Sequence, residues 1–231
     1  MDSNQRIDLH THSFFSDGAL LPSEQLRRAF VKGYAAIAIT DHADASNLEE
    51  LLARLLRFAR LQRDDFPLIF IPGVELTHVA PQSIAPLARQ AKELGAALVV
   101  VHGETIVEPV APGTNAAAVA CLDVDILAHP GLISVEEARQ AAANGVYLEI
   151  SSRGGHSLAN GHVAHVAREA GASLVLNTDT HSASDMIDQE TARLVAAAAG
   201  LDADEVTAAT ATHPQTLVRR ALSRLRSLAV A

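Results

Sequence analysis

The chain has no tryptophan, a single cysteine (Cys121), two methionines and only 3% aromatic residues over its 231 positions. One thiol excludes a disulfide framework and any cysteine-cluster zinc site, and it suits a reducing cytoplasm. So few aromatics leave little to build the stacking platforms that single-stranded nucleic acid needs. Basic residues are also scarce, 18 Lys and Arg against 27 Asp and Glu, for a formal charge of −9. A long nucleic acid held by charge alone is therefore not expected. No apolar run reaches the ~18–20 residues of a membrane-spanning helix, and the polar start Met-Asp-Ser-Asn-Gln-Arg does not read as a signal peptide. There is no charge block, long Gly/Ser linker or internal repeat, so residues 1–231 are expected to form one domain.

Against these absences stand 11 histidines beside the carboxylate surplus. A rhythm of short apolar run, turn and helical spacing predicts βα units and a parallel sheet. The runs are Ile7–Leu9, Ala35–Ile39, Leu68–Val74, Ala97–Val101, Ile126–Ala128, Val146–Ile150 and Ser173–Leu176. Helix starts are marked by Pro22-Ser23-Glu24, stopped by Gly33, and by Ser134-x-x-Glu137 in capping-box form before Gly145. A further helix is expected from about Ser157 to Gly171, and two more after Asp188. Periodicity alone fits either an open sheet or a barrel.

The residues that end the runs separate these folds. They are Asp8-Leu-His10-Thr-His12, Thr40-Asp41-His42, Glu75, His102, His129-Pro130, Glu149-Ile-Ser151 and Asn177-Thr-Asp179-Thr-His181. Only a closed barrel brings the carboxyl ends of seven parallel strands to one face. On an extended strand, positions i and i+2 share a face, so His10 and His12 point together, and Asp179 and His181 repeat the arrangement. Asp8 shares that phase one step deeper and is expected to orient an imidazole from behind. Packing so many polar groups unpaired would cost roughly 1–3 kcal/mol each. Bound divalent cations would remove that cost.

These motifs, with Ser13, Ser16-Asp17-Gly18, Ile39-Thr-Asp-His42 and Gly73-Val-Glu75, resemble the PHP (polymerase and histidinol phosphatase) family of metal-dependent phosphoesterases. The resemblance runs in order along nearly the whole chain. It implies an α/β fold, a distorted seven-stranded (β/α) TIM-like barrel with a metal cluster at the C-terminal strand ends, holding two or three divalent ions. By similarity, His10, His12, Glu75 and Asp179 would bind one ion. Glu75 would bridge to a second held by His102 and His129, and Asp17, His42 and His181 would hold a third. Glu75, Asp179 and His181 are the expected catalytic residues, with Asp41, like Asp8, behind the ligands. His213 stands where the family's terminal Asn-Pro-x-x-Leu motif has Asn, a departure that bears on packing.

Imidazole with carboxylate suits Zn, Mn or Fe better than Mg. The expected chemistry is attack on phosphorus by a metal-activated hydroxide, in line with the departing alkoxide. Arg153, in Ser151-Ser-Arg153-Gly-Gly-His156, would grip a phosphate, and His156 would donate to it or to the leaving group. Glu104 either faces the pocket or is a loop charge; His78 is expected to be structural, His162 and His165 surface residues, and Cys121 buried. The loop from His102 to about Gly113 is where specificity is expected.

The expected activity is that of a phosphomonoesterase on a small phosphorylated metabolite, like histidinol phosphatase. The alternatives are a nucleotide phosphodiesterase or exonuclease of the same family, or a non-catalytic metal-binding module. Three divalent ions would take the formal −9 to −3, so part of the acidity reads as a metal site.

Overall fold

Each of the seven apolar runs becomes a strand, displaced by at most a residue or two at its ends, and helices separate them. The computed structural model describes residues 3–61 and 67–230. The strands are β1 (Arg6–Asp8), β2 (Tyr34–Ile39), β3 (His42–Ala43), β4 (Ile69–Leu76), β5 (Leu98–His102), β6 (Ile126–Ala128), β7 (Tyr147–Ser151) and β8 (Leu174–Asn177). All pairings are parallel, in the order β1-β2-β4-β5-β6-β7-β8. β3 continues the line of β2: Ile39 pairs with Pro72 and His42 with Glu75, an unchanged offset. The sheet is thus seven strands wide and curls into a nearly closed barrel.

The seam between β1 and β8 is closed largely by side chains. Asn177 Oδ1 accepts from the Leu9 N–H (2.9 Å), Asp8 Oδ1 from the Thr178 N–H (3.2 Å), and Arg6 Nη2 donates to the Leu176 carbonyl (2.9 Å). Only beyond the strand ends does backbone pairing return, where the His12 N–H donates to the Thr180 carbonyl (2.8 Å).

Strand alternation sorts the apolar residues into two layers. Ile37, Ile39, Val99, Val101, Leu127, Leu148, Ile150 and Leu176 pack outward against the helices. Ile7, Leu9, Ala36, Ala38, Ile71, Leu98, Val100, Ile126, Ala128 and Val175 form the barrel interior. One helix reaches that interior among the described residues: α9 (His213–Val230), whose Leu217, Val218 and Ala221 plug the amino end of the barrel. With one mouth plugged, the polar strand ends open at the other.

The surrounding helices are α1 (Pro22–Val31), α2 (Leu48–Leu61), α3 (Pro81–Glu93), α4 (Thr114–Ala120), α5 (Val135–Asn144), α6 (Asn160–Ala170), α7 (Gln189–Ala198) and α8 (Ala203–Thr207). Pro22 opens α1, and Ser134 and Glu137 form the reciprocal capping box of α5, which ends at Gly145 in the left-handed conformation. α8 runs into α9 through a widened π turn, Ala208–Thr212. Pro214 has no N–H to offer the Thr210 carbonyl four residues back, and Gln189 Nε2 donates to it instead (3.1 Å). His213 Nδ1 lies 2.7 Å from the Leu174 carbonyl, tying this turn to β8. No helix among the described residues is long and apolar enough to cross a membrane.

Candidate metal centre

Residues that follow the strands fill the open mouth. His10 and His12 lie just past β1, His42 begins β3, and Glu75 and His102 lie at the ends of β4 and β5. His129 follows β6 with φ 26°, and Asp179 and His181 follow β8, Asp179 with φ 51°. Non-glycine residues at positive φ are uncommon and strained, and two of them here carry candidate ligands.

Glu75 is fully buried, and its two oxygens face different groups. Oε1 is 3.3 Å from His10 Nε2 and 3.7 Å from His129 Nε2; Oε2 is 2.7 Å from His42 Nδ1 and 3.6 Å from His12 Nε2. Asp179 Oδ1 is 3.1 Å from His12 Nε2 and 3.4 Å from His181 Nδ1. Asp17 Oδ1 is 3.1 Å from His181 Nε2 and 3.4 Å from His42 Nε2. The loop that presents Asp17 is held by Asp41, whose carboxylate accepts from the Ser13 N–H and from the hydroxyls of Ser13 and Ser16, each at 2.6 Å. Gly18 permits that tight turn, because a Cβ there would strike the His12 carbonyl.

The role expected of Asp8 falls to another residue. β1 ends at Asp8, so strand alternation does not carry through to His10: Ile7 and Leu9 face the barrel interior, and Asp8 turns to Arg6 Nη2 (3.5 Å) and the Thr178 N–H. Glu149 of β7 does what was expected of Asp8. Its Oε2 is 2.8 Å from His10 Nδ1 and also accepts from Asn177 Nδ2 (2.8 Å). A carboxylate only accepts, so His10 Nδ1 carries the hydrogen and Nε2 presents a lone pair to the cavity.

The donor set fits divalent cations. His10 Nε2 and His12 Nε2 stand 3.1 Å apart, aimed at the same carboxylates. Glu75 Oε1 is buried without a hydrogen-bond partner. Candidate ligand atoms of His10, His12 and Asp179, of His12, Asp17, His42 and His181, and of His102, His129 and His156 lie within 4.8 Å of one another in each group. Nitrogens sharing one tetrahedral zinc sit about 3.4 Å apart, given bonds of about 2.05 Å. Without cations, protons take their place. Burial opposes charge on His42, but Glu75 and Asp17 outweigh it and push its pKa up to about 10. His10 is likewise raised against burial, by Glu149, Glu75 and Asp179, whereas burial and the charge of His42 hold His12 down. Burial, reinforced by Glu75, lifts Asp179 to about 7.

The nine residues expected as ligands all converge here. Above the buried floor of His10, His12, Glu75 and His129 opens a cavity of about 270 Å³, lined in part by Asp17, His42, His102, Arg153, His156 and His181. Arg153 Nη1 donates to the Asp179 carbonyl (3.0 Å), and His181 Nδ1 lies 2.7 Å from that nitrogen and 2.9 Å from the same carbonyl. His156 Nδ1 is 2.8 Å from the Thr105 hydroxyl. Burial first, and then nearby positive charge, lower the His156 pKa to about 4.

His78, expected to be structural, departs from its expected place; Glu104 takes the second of its two expected roles, and Glu108 lies in the loop expected at the mouth. His78 lines the cavity, its ring centroid 4.9 Å from that of His102. Glu104 turns away from the pocket to accept from the Gly113 (3.0 Å) and Asn115 (2.9 Å) N–H groups at the start of α4. Glu108, visible in the sequence only as part of a loop, reaches the cavity as well. His165 is exposed, His162 is half-buried with Nε2 2.8 Å from the Ile133 carbonyl, and Cys121 is a buried free thiol.

A family model of the PHP domain matches residues 8–153. The chain belongs to the PHP domain family. It is therefore a member of a family of metal-dependent phosphoesterases. An uncharacterized protein of Methanocaldococcus jannaschii is 49% identical over 216 residues, 93% of this PHP chain and 99% of its own length. A 3′,5′-nucleoside bisphosphate phosphatase of Chromobacterium violaceum is 47% identical over 51 residues, 22% of this chain and 18% of that one. Among solved structures, histidinol phosphate phosphatase from Lactococcus lactis, complexed with zinc, L-histidinol and phosphate, superposes with a TM-score of 0.59. It shares 19% identity and covers 86% of this chain and 95% of its own, a likeness of fold.

Proposed function

We propose that this PHP chain is a metal-dependent phosphomonoesterase acting on a small phosphorylated metabolite in a reducing cytoplasm. One observation carries the reading: nine imidazole and carboxylate side chains meet at one mouth, around a single carboxylate, Glu75, that faces two imidazole groups. The cavity of about 270 Å³ lies below the roughly 300–1,000 Å³ of pockets that enclose drug-sized ligands, which supports a small substrate. Partial matches of similar strength point both ways: the bisphosphate phosphatase supports monoester chemistry, and a 5′-3′ exoribonuclease of Haemophilus influenzae, 32% identical over 73 residues, supports the diester alternative, so the monoester reading rests on the cavity.

His10, His12, Glu75 and Asp179 would hold one cation, Glu75 with His102 and His129 a second, and Asp17, His42 and His181 a third. When bound, divalent Zn, Mn or Fe supplies Lewis acidity towards phosphate oxygens and lowers the pKa of an attacking water. The chain does the rest. Glu149 fixes the tautomer of His10, and Asp41 sets the loop carrying Asp17. Arg153, already at the cavity rim beside Asp179, turns its guanidinium to the phosphate. His156 Nδ1 meets the Thr105 hydroxyl, and Nε2 faces carboxylate oxygens of Glu108 (3.4 Å) and Asp179 (3.7 Å), which only accept; a hydrogen on Nε2 is thus aimed at the cavity as a donor to the phosphate or the leaving group.

Phosphate release from p-nitrophenyl phosphate by the Mn- or Zn-loaded protein is the first test, followed by a screen of phosphorylated metabolites. Glu75→Ala is expected to abolish turnover and to release bound metal together. Stoichiometric metal uptake with no turnover under any metal would overturn the enzymatic reading, and survival of both properties in Glu75→Ala would overturn the bridging role.

A further inference from the structure

The loop after β5 brings a carboxylate into the cavity that none of the roles above uses. Glu108 Oε2 lies 3.0 Å from His102 Nε2 and 3.3 Å from His78 Nε2, and Oε1 lies 3.4 Å from His156 Nε2. Three imidazoles from three different strand-following segments thus surround one carboxylate on the open side of the cavity. The candidate ligand atoms of His78, His102 and Glu108 all lie within 4.8 Å of one another, and the two carboxylate–imidazole distances are close to the roughly 3.4 Å of donors that share a tetrahedral cation. His78 is held there at φ 52°, a conformation that few histidines adopt.

The loop is pinned on either side of Glu108, and its carboxylate is held only by imidazoles on the open side of the cavity. On one side the Thr105 hydroxyl meets His156 Nδ1, and on the other Glu104 caps the N–H of Gly113. Between them Val107 lies over Gly155, where a Cβ would come within 3.5 Å of the Val107 methyl. The Glu108 side chain is itself 37% exposed. Carboxylate and phosphate offer the same anionic oxygens to a cation, to the His156 N–H and to a nearby guanidinium, so they compete for one place.

We propose that Glu108 is a displaceable metal ligand: it holds a cation at the His78–His102 face of the centre while the cavity is free of substrate, and gives way when a phosphate group binds. The exchange is one anionic oxygen ligand for another, with no bond to carbon or phosphorus broken. The displacement rests on the phosphoesterase reading, whereas the ligation does not.

Titration calorimetry of Glu108→Gln and Glu108→Ala tests both parts. Mn or Zn is titrated into chelator-stripped protein, and inorganic phosphate into metal-saturated protein. One class of cation is expected to bind about tenfold more weakly in the variants, while inorganic phosphate binds about tenfold more tightly, its competitor being gone. Cation affinity equal to that of the unaltered protein would overturn the ligation. Phosphate affinity that stays the same or falls would overturn the displacement. An unchanged melting temperature of the stripped variants separates these outcomes from misfolding. If the unaltered protein showed no turnover of p-nitrophenyl phosphate while both shifts appeared, the proposed function would fail and the ligand role of Glu108 would stand.

Discussion

An imidazole holds a cation more tightly when its other nitrogen is committed, and Glu149 commits His10 Nδ1 at 2.8 Å. Glu149→Gln preserves the shape but offers an amide that can turn its NH₂ to His10 and favour the wrong tautomer. It is expected to weaken metal binding about 10–100-fold, as read by calorimetry with Mn or Zn; unchanged affinity would remove Glu149 from the centre. Eight of the nine candidate ligands were legible in the sequence because each ends or follows an apolar run, and seven parallel runs can converge only at a barrel mouth; Asp17, in the loop after His12, was visible only through the resemblance to the PHP family. Asp8 misled because the period of two was carried past the end of its strand. Glu149 lies in plain view within β7, but its partner His10 is 139 positions away and no local spacing links them. His78 and Glu108 belong to loops, where neither period of two nor of 3.6 applies.

At the scale of elements, start and stop signals transferred best, because capping is a local contact. Pro22, the Ser134–Glu137 box and Gly145 all act within four or so residues of the helix end they set. The split of one line into β2 and β3 was hidden, since Thr40 and Asp41 between them still bond to partners distant in sequence, the Thr40 N–H to the Thr11 carbonyl and the Asp41 carbonyl to the Glu75 N–H. A second capping box, which drew no notice in the sequence, opens α8: Asp202 accepts from the Asp204 and Glu205 N–H groups, and Glu205 accepts from that of Asp202. Asp202→Ala is expected to cost about 1 kcal/mol in urea denaturation. Glu205 also meets Arg168 at 2.6 Å; that hydrogen bond and the Asp202 N–H lower its pKa to about 2. Its contribution is therefore complete above the ordinary value of 4.5 and is lost as the pH falls from there towards 2. Glu205→Gln should lose stability relative to the unaltered chain at pH 7, and the difference should shrink steadily in melts taken between pH 4.5 and 2.

For the whole molecule, the candidate ligands come from both sides of the β1–β8 seam: His10 and His12 on one, Asp179 and His181 on the other. Cations bound there, as proposed, would grip the folded barrel and would have no comparable site on the unfolded chain. At free metal about 100-fold above the dissociation constant this linkage contributes about 2.7 kcal/mol. Chelation should accordingly lower the melting temperature by about 5–10 °C for a domain of this size. Calorimetry with and without chelator checks this, and a melting temperature indifferent to chelator would show that the cations do not clamp the seam.

That seam also orders events in time. Asp8 and Thr178, which meet across it, are 170 positions apart, whereas β1 reaches β2 with Ile7 opposite Ala36. The longer closure costs only about 1.5 kcal/mol more in chain entropy, at roughly 0.6 kcal/mol per doubling of loop length. It must nonetheless wait until the last strand has been synthesised. During translation, at about 5–20 residues per second, the growing chain spends on the order of ten seconds or more with His10 and His12 emerged and Asp179 not yet made. The cluster is therefore completed late, and a ribosome-bound fragment lacking the final strand lacks part of every cation site assigned to His10, His12 or Asp17.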